Sequence, residues 1–546
     1  NAAAQVTSSS FTVDTTAPSI NAIATSALSW GDVLNATEDN ADGTVTVTTV
    51  GVEDGQTLTI TLNSATYTAS VSSNSATVTI TASGLQALTD GQTYTLTADV
   101  SDATGNAAAQ VTSSSFTVDT TAPSINAIAT SALSWGDVLN ATEDNSDGTV
   151  TVTTVGVEDG QTLTITLNSA TYTASVSSNS ATVTITASGL QALTSGQTYT
   201  LTADVSDAAG NAATQVTSSS FTVDTTAPSI NAIATSALSW GDVLNATEDN
   251  SDGTVTVTTV GVEDGQTLTI TLNSATYTAS VSSNSATVTI TASGLQALTD
   301  GQAYTLTADV SDAAGNAATQ VTSSSFTVDT TAPSINAIAT SALSWGDVLN
   351  ATEDNSDGTV TVTTVGVEDG QTLTITLNSA TYTASVSSNS ATVTITASGL
   401  QALPDGQAYT LTADVSDATG NAAAQVTSSS FTVDTTAPSI NAIGTGALSW
   451  GDVLNATEDN SDGTVTVTTV GVEDGQTLTI TLNSATYTAS VSSNSATVTI
   501  TASGLQALTD GQTYTLTADV SDAAGNAATQ VTSSSFTVDT TAPSIN

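Results

Sequence analysis

Carboxylates return in this chain at fixed intervals, and they are the only side chains in it equipped for chemistry beyond hydrogen bonding. The stretch Phe116-Thr117-Val118-Asp119-Thr120-Thr121-Ala122-Pro123-Ser124-Ile125-Asn126 recurs from Phe11, Phe221, Phe326, Phe431 and Phe536, each step being 105 residues. Every copy brings one aspartate: Asp14, Asp119, Asp224, Asp329, Asp434 and Asp539. A second group lies in an Asp-Val-Ser-Asp-Ala-x-Gly-Asn motif. It supplies Asp99, Asp102 and Asn106, then Asp204, Asp207 and Asn211, then Asp309, Asp312 and Asn316, then Asp414, Asp417 and Asn421, and last Asp519, Asp522 and Asn526. A third follows the tryptophan of each unit as Asn-Ala-Thr-Glu, giving Glu38, Glu143, Glu248, Glu353 and Glu458, while Asp54 and Asp159 sit in Glu-Asp-Gly turns. Lys, Arg, His and Cys are absent against 50 Asp and Glu, so no cation of the chain itself can neutralise them.

Bare carboxylates gathered in one place repel and raise one another's pKa, which costs stability unless a cation intervenes. Calcium suits such a set: it takes six to eight oxygens from Asp, Glu, Asn, carbonyls and water. Zinc and copper would want the His and Cys that are missing. Glu38-Asp39-Asn40-Ala41-Asp42-Gly43 echoes the first half of an EF-hand loop, but its twelfth position is Thr49 and no flanking helices are expected. The competing reading for any single acid is a solvated, solubilising surface.

The carboxylates must be held by β-structure. Val alternates with Thr in Thr44-Val45-Thr46-Val47-Thr48-Thr49-Val50, the period of a half-buried strand. Further strands are expected at Asn21–Thr25, Thr57–Leu62, Thr66–Ser72, Ala76–Thr81, from Thr93, and at the recurring Phe-Thr-Val, separated by Gly, Asn, Ser and Asp turns. No apolar stripe has helical spacing. The pattern predicts an all-β fold: five tandem Greek-key sandwiches following head to tail as a rod. The units run 17–121, 122–226, 227–331, 332–436 and 437–541. Residues 1–16 read as the last strand of a preceding unit, and 542–546 as the start of a following one. Inward positions include Val45, Val47, Leu58, Ile60, Val78, Ile80, Tyr94, Leu96, Val100 and Phe116. Each sandwich would span about 40 Å, and five roughly 200 Å.

If successive strands alternate in direction, the Glu53-Asp54-Gly55 turn and the turn from Asp99 to Asn106 lie at the top of a unit, and Glu38 and Asp119 at the bottom. Asp119 and Glu38 would then meet Asp159, Asp204, Asp207 and Asn211 of the next unit. Trp30 and its equivalents are expected to plug the end of each sandwich, the alternative being an exposed aromatic platform for a ligand. A net charge of −50 argues against nucleic acid or an anionic membrane as partner, and no 18-residue apolar run could span a membrane. Catalysis lacks the usual His, Lys, Arg and Cys groups, and no enzyme is expected.

Leu88-Thr89-Asp90-Gly91-Gln92-Thr93-Tyr94 resembles the tyrosine corner of immunoglobulin-like folds, although Leu96 stands where antibody domains carry a cysteine. Three motifs in order, Val100-Ser101-Asp102-Ala103-Thr104-Gly105-Asn106, then Phe116 to Pro123, then Gly136-Asp137-Val138-Leu139-Asn140-Ala141-Thr142-Glu143, resemble the bacterial immunoglobulin-like extender repeats of giant RTX-type adhesins, including the extender region of an ice-binding one. The resemblance implies an extracellular fibre on a bacterial surface, its tandem domains stiffened by calcium between neighbouring repeats, projecting a distal adhesive domain. By it, Asp119, Glu143, Asp204, Asp207 and Asn211 are the ligands at the first complete junction. A surface module whose repeats each bind a glycan or protein is the alternative.

Overall fold

The computed structural model describes residues 2–544; Asn1, Ile545 and Asn546, which fall in the two terminal fragments, lie outside the described residues. The first repeat contains β1 (Ser19–Ile20), β2 (Val33–Leu34), β3 (Gly43–Val50), β4 (Thr57–Leu62), β5 (Ala65–Ser70), β6 (Ser75–Ile80), α1 (Ala82–Leu85), β7 (Thr93–Tyr94), β8 (Leu96–Val100), β9 (Val111–Thr112) and β10 (Phe116–Val118). The strands form one sheet in the order β1-β3-β6, a second in the order β5-β4-β8-β9, and a short third in the order β2-β10-β7. The other four repeats reproduce this plan.

Alternation decides which way each strand faces. In β3, Val45 and Val47 point inward while Thr46 and Thr48 are exposed, and β4 does the same with Leu58, Ile60 and Leu62. Together with Val78, Ile80, Leu96, Val100 and Phe116 these residues form one apolar cluster per repeat. Tyr94, expected inside, is only half-buried. Its ring leans on Phe116 while its hydroxyl leaves the core to accept the N–H of Thr89 at 2.9 Å, the corner its surroundings suggested.

Trp30 is 4% exposed and meets Phe116 edge to face, with ring centroids 5.4 Å apart. It plugs the sandwich and presents no platform. Gly43 makes room for it, since a Cβ there would stand 2.5 Å from the indole.

Several local expectations are corrected. The first strand lies at Ser19–Ile20, ahead of Asn21–Thr25, because Ser19 and Ile20 pair with Val50 and Thr49 of β3. The segment that follows turns into a 3-10 turn at Thr25–Ala27. Val33–Leu34 adds an unexpected strand, parallel to β10. The bend after β6 opens with the four-residue α1, whose first turn is capped when Thr81 accepts the N–H of Gly84. It buries only Leu85, too little to leave a periodic signal in the sequence.

Residues 2–18 form no strand, and Phe11 is 83% exposed, whereas Phe116 in the same local sequence is 1% exposed. The difference is context: Phe116 and Thr117 pair with Tyr94 and Thr93 of β7, and Thr117 and Val118 with Val33 and Leu34 of β2. The lead has neither neighbour.

The tyrosine corner recurs at Tyr199, Tyr304 and Tyr514. In the fourth repeat Pro404 occupies the donor position and has no N–H to give Tyr409. Tyr304→Phe should therefore lower the melting temperature, and Tyr409→Phe leave it close to unchanged, as read by thermal melting of the chain. Equal losses would contradict the role given to this bond.

Candidate cation-binding joints between repeats

Parallel pairing of β2 with β10 delivers two chemically active residues to the same end of a repeat. Thr117 lies beside Val33 and Val118 beside Leu34, and the N–H of Asp119 continues the ladder to the carbonyl of Leu34 at 3.0 Å. Asn35 and Asp119 therefore emerge side by side. Asn35 caps the loop that follows, its Oδ1 accepting the N–H groups of Thr37 and Glu38 at 2.9 Å each, while Glu38 Oε2 accepts the N–H of Asn35 at 3.1 Å. The reciprocal arrangement is that of a capping box.

The facing end of the second repeat is the turn between its eighth and ninth strands, wound around Asp207. Asp207 Oδ1 accepts the N–H of Asn211 at 2.8 Å, and its Oδ2 accepts Asn211 Nδ2 at 2.9 Å. Gly210, at φ +94°, closes the turn in a conformation that favours glycine. Asp207 and Asn211 are each 3% exposed, yet each is hydrogen-bonded, as buried polar groups require.

The two ends meet through direct bonds. Asn211 Nδ2 donates to the main-chain oxygen of Asp119 at 2.9 Å, its Oδ1 accepts the N–H of Ala36 at 2.7 Å, and Asn35 Nδ2 donates to the carbonyl of Ala209 at 3.0 Å. The same three bonds join Asn140 and Asp224 to Asn316, Asn245 and Asp329 to Asn421, and Asn350 and Asp434 to Asn526. At the top of the first repeat Asn106 reaches the main-chain oxygen of Asp14 at 3.3 Å.

Electrostatically the joint is strained. Burial pushes the Asp119 carboxyl above the ordinary range; a hydrogen bond from Thr121 pulls the other way, and repulsion from Asp207, Asp90 and Glu158 adds to the rise. At the fourth joint Asp434 is raised by burial and then by Asp522, with Asp405 and Glu473 contributing. Asp90 behaves oppositely. Its carboxyl is held down by bonds from the Thr120 N–H and the Thr121 hydroxyl, which tie the inter-repeat segment to the repeat it leaves. Ser195 replaces it in the second repeat and accepts the N–H of Thr225 at 3.1 Å.

Of the residues singled out from sequence, the joint brings together Asp119, Asp207 and Asn211, with Glu38 one turn away and committed to its own backbone. Glu143 does not belong to the first junction. It caps Asn140 at the far end of the second repeat, one joint further on, because β2 pairs with the β10 of its own repeat. Asp204 is also elsewhere: both its oxygens accept Gln215 Nε2, at 3.0 and 2.9 Å, in a lateral groove with Gln161, Thr162 and Thr164. Asp99, Asp309, Asp414 and Asp519 hold Gln110, Gln320, Gln425 and Gln530 in the same way. Asp54 and Asp159 cap the turns at Ser73 and Ser178, at 2.6 Å each. Asp539, Glu458 and Asn455 end the fifth repeat, and Asp102, Asp312, Asp417 and Asp522 repeat the role of Asp207.

Sequence reasoning missed two members. Glu158 faces the joint from the turn between the third and fourth strands of the second repeat while accepting the N–H of Ala208 at 2.8 Å, whereas the sequence points to its neighbour Asp159. Asn35 stood in plain view as the residue opening Asn-Ala-Thr-Glu, the spacing of a capping box.

The donors gathered here are all oxygens, which fits calcium. Asp119, half-buried and raised in pKa, is the group a cation would relieve most. Among the described residues, however, no three acidic side chains stand close enough to share one ion.

The sequence profile for bacterial Ig-like domains (group 3) matches residues 84–225, 184–330 and 392–542, together well over half of the chain. The chain belongs to the bacterial Ig-like domain (group 3) family. Among solved structures this Ig-like array is similar to a Ca2+-stabilized adhesin that helps an Antarctic bacterium reach out and bind ice, at 32% identity over 77% of this chain and 99% of that one, with a TM-score of 0.39. It is similar to a bacterial immunoglobulin-like domain from the M. primoryensis ice-binding adhesin at 33% identity, over 19% of this chain and 95% of that one, with a TM-score of 0.15. A tetra-tandem repeat in the extending region of a large adhesion protein is 22% identical, over 76% of this chain and 100% of that one, with a TM-score of 0.28. None of the curated proteins matches the chain.

In the first four Ig-like repeats one further carboxylate is uncompensated. Burial raises the pKa of Asp39, Asp144, Asp249 and Asp354, and Oδ1 of Asp39 and of Asp354 is buried without a partner. A raised folded pKa means that these groups favour the fold when protonated, and that this contribution is lost as pH rises through the folded value. Replacing all four by Asn should therefore raise the melting temperature at pH 7 in chelator, the gain shrinking toward pH 3. A lower melting temperature at pH 7 would show that the carboxylates have partners in solution.

Proposed function

We propose that this chain is a spacer segment of a bacterial cell-surface adhesin. Its repeats form an extended array stiffened by calcium at the joints, projecting a distal adhesive domain into the medium. The observation that carries the reading is the joint itself: at each of four joints one asparagine bonds both a half-buried aspartate and an aspartate of the next repeat, and at the first and fourth repulsion between repeats adds to the rise of the half-buried carboxyl, with no cationic side chain in the protein to offset it. Asp119 and Asp207, with the main-chain oxygens beside them, are the residues that would hold the ion at the first joint, Glu158 adding to the negative field around it. Bound there, calcium would supply positive charge where repulsion otherwise opposes close approach of the two repeats. The first of the solved relatives is said to be Ca2+-stabilized.

The rest of the molecule suits a spacer. Its cores are closed and separate, one per repeat, and no His, Lys, Arg or Cys is available for the common kinds of acid–base or nucleophilic catalysis. Ligand binding by each repeat loses its aromatic platform, since Trp30 and its equivalents are buried. Among the described residues no helix is long and apolar enough to cross a membrane. We place the protein outside the bacterial cell, with calcium ions and its own neighbouring repeats as partners, and keep the repeat limits at 17–121, 122–226, 227–331, 332–436 and 437–541.

Adding calcium to the chelated chain should raise its melting temperature and lengthen the largest dimension seen in small-angle scattering. Asp207→Ala should lower calcium uptake in calorimetry by one joint's share. Identical scattering and melting with and without calcium would rule the proposal out.

A further inference from the structure

We infer that the joints are set by an asparagine clamp that acts without metal, and that Asn35, Asn140, Asn245 and Asn350 are its positioning residues. This stands apart from the calcium reading, because every bond in it is direct.

The argument begins with what the chain lacks. Without Lys, Arg or His, the side chains able to present two N–H donors from one nitrogen are Asn and Gln, so contacts that other proteins make with cations fall to amides. Asn211 uses both donors and its acceptor in this way. Its two N–H groups go to Asp207 in its own repeat and to the main-chain oxygen of Asp119 in the preceding one, and its oxygen takes the N–H of Ala36. Burial follows from the contact: Asn211, Asn316, Asn421 and Asn526 are 3, 2, 1 and 2% exposed, whereas Asn106, facing only the lead segment, is half-buried.

Asn35 carries the sharper inference. Its Oδ1 caps the loop through Thr37 and Glu38, and Asp or Ser would do that equally well. Capping therefore does not require an amide at this position. The amide nitrogen is what only Asn adds, and it is spent on the carbonyl of Ala209 in the next repeat at 3.0 Å. The fifth repeat supplies the internal control. Asn455 makes the same cap, to Thr457 at 2.9 Å and Glu458 at 3.2 Å, but it faces no following repeat and is exposed. The arrangement thus separates one residue's two jobs, holding its own loop and aiming the neighbour.

The test uses the full five-repeat chain in two fourfold variants. Asn→Asp at 35, 140, 245 and 350 keeps the side-chain shape, and Asn→Ser at the same positions keeps the charge; both retain the cap. Small-angle scattering and thermal melting are recorded in excess chelator and again in calcium, with Asn455→Asp as the control. Both fourfold variants are expected to melt like the parent yet lose the longest distances of the parent's pair-distance distribution in chelator, and Asn455→Asp to leave it unchanged. Variants that superimpose on the parent in chelator would overturn the clamp, even if calcium then extends all of them. Should calcium change none of them while the variants remain shorter than the parent, the clamp stands and the calcium reading fails.

Discussion

Everything in this protein is arranged around the want of a positive side chain. Fifty carboxylates have no ammonium or guanidinium to meet, so each must be stabilised by N–H and O–H donors or left to water. Asp207 takes two bonds from Asn211, Asp204 two from Gln215, Asp159 the N–H of Ser178, and Glu158 the N–H of Ala208. Hydrogen bonds to a charged acceptor are stronger than neutral ones, which lets a short polar turn at the end of a small sandwich hold its shape. What such donors cannot do is cancel charge. Repulsion therefore survives where carboxylates of two repeats approach one another, as at Asp119 and Asp434.

The sandwich and the joint follow different logics. Within a repeat the organisation is apolar: a single cluster from Ile20 to Val118, closed at one end by Trp30 packed on Phe116. Nothing in that cluster reaches the neighbouring repeat. Between repeats the contacts described are polar and few, made by main chain and amides, so their strength depends on geometry. A joint of that kind is stiff only while its donors and acceptors stay aligned, and an array of them responds to anything that changes local charge. On our reading, a divalent cation at such a joint would offset repulsion, while the amide clamp would set direction.

Small departures among the repeats show how local the control is. Ser195 stands where the other repeats have aspartate and holds the inter-repeat segment through a hydroxyl. Thr419 occupies the place of Ala209 and donates from its hydroxyl to Asp329 at 3.0 Å, a bond the alanine joints do not make. Pro404 removes one tyrosine corner. Each change alters the bonds of a single residue and leaves the core pattern intact, since none of the three touches the alternation that buries the valines and leucines.

The sequence alone determined the number of repeats, the all-β class, the inward set of Val, Leu and Ile, the corner at Tyr94 and the plug at Trp30, because these rest on local periodicity and side-chain type. It also determined that the joints would be acidic and free of cations. Which acids meet was decided only by tertiary structure. The parallel pairing of Val33–Leu34 with β10, two residues long and invisible to periodicity, puts Asn35 beside Asp119 and carries Glu143 to the next joint. The turn around Asp207 selects Glu158 over Asp159, and Asp204 falls to the lateral face, because neighbouring residues in a strand or turn point in opposite directions. Direction of that kind is a property of pairing across the fold, and a list of residues in order does not contain it.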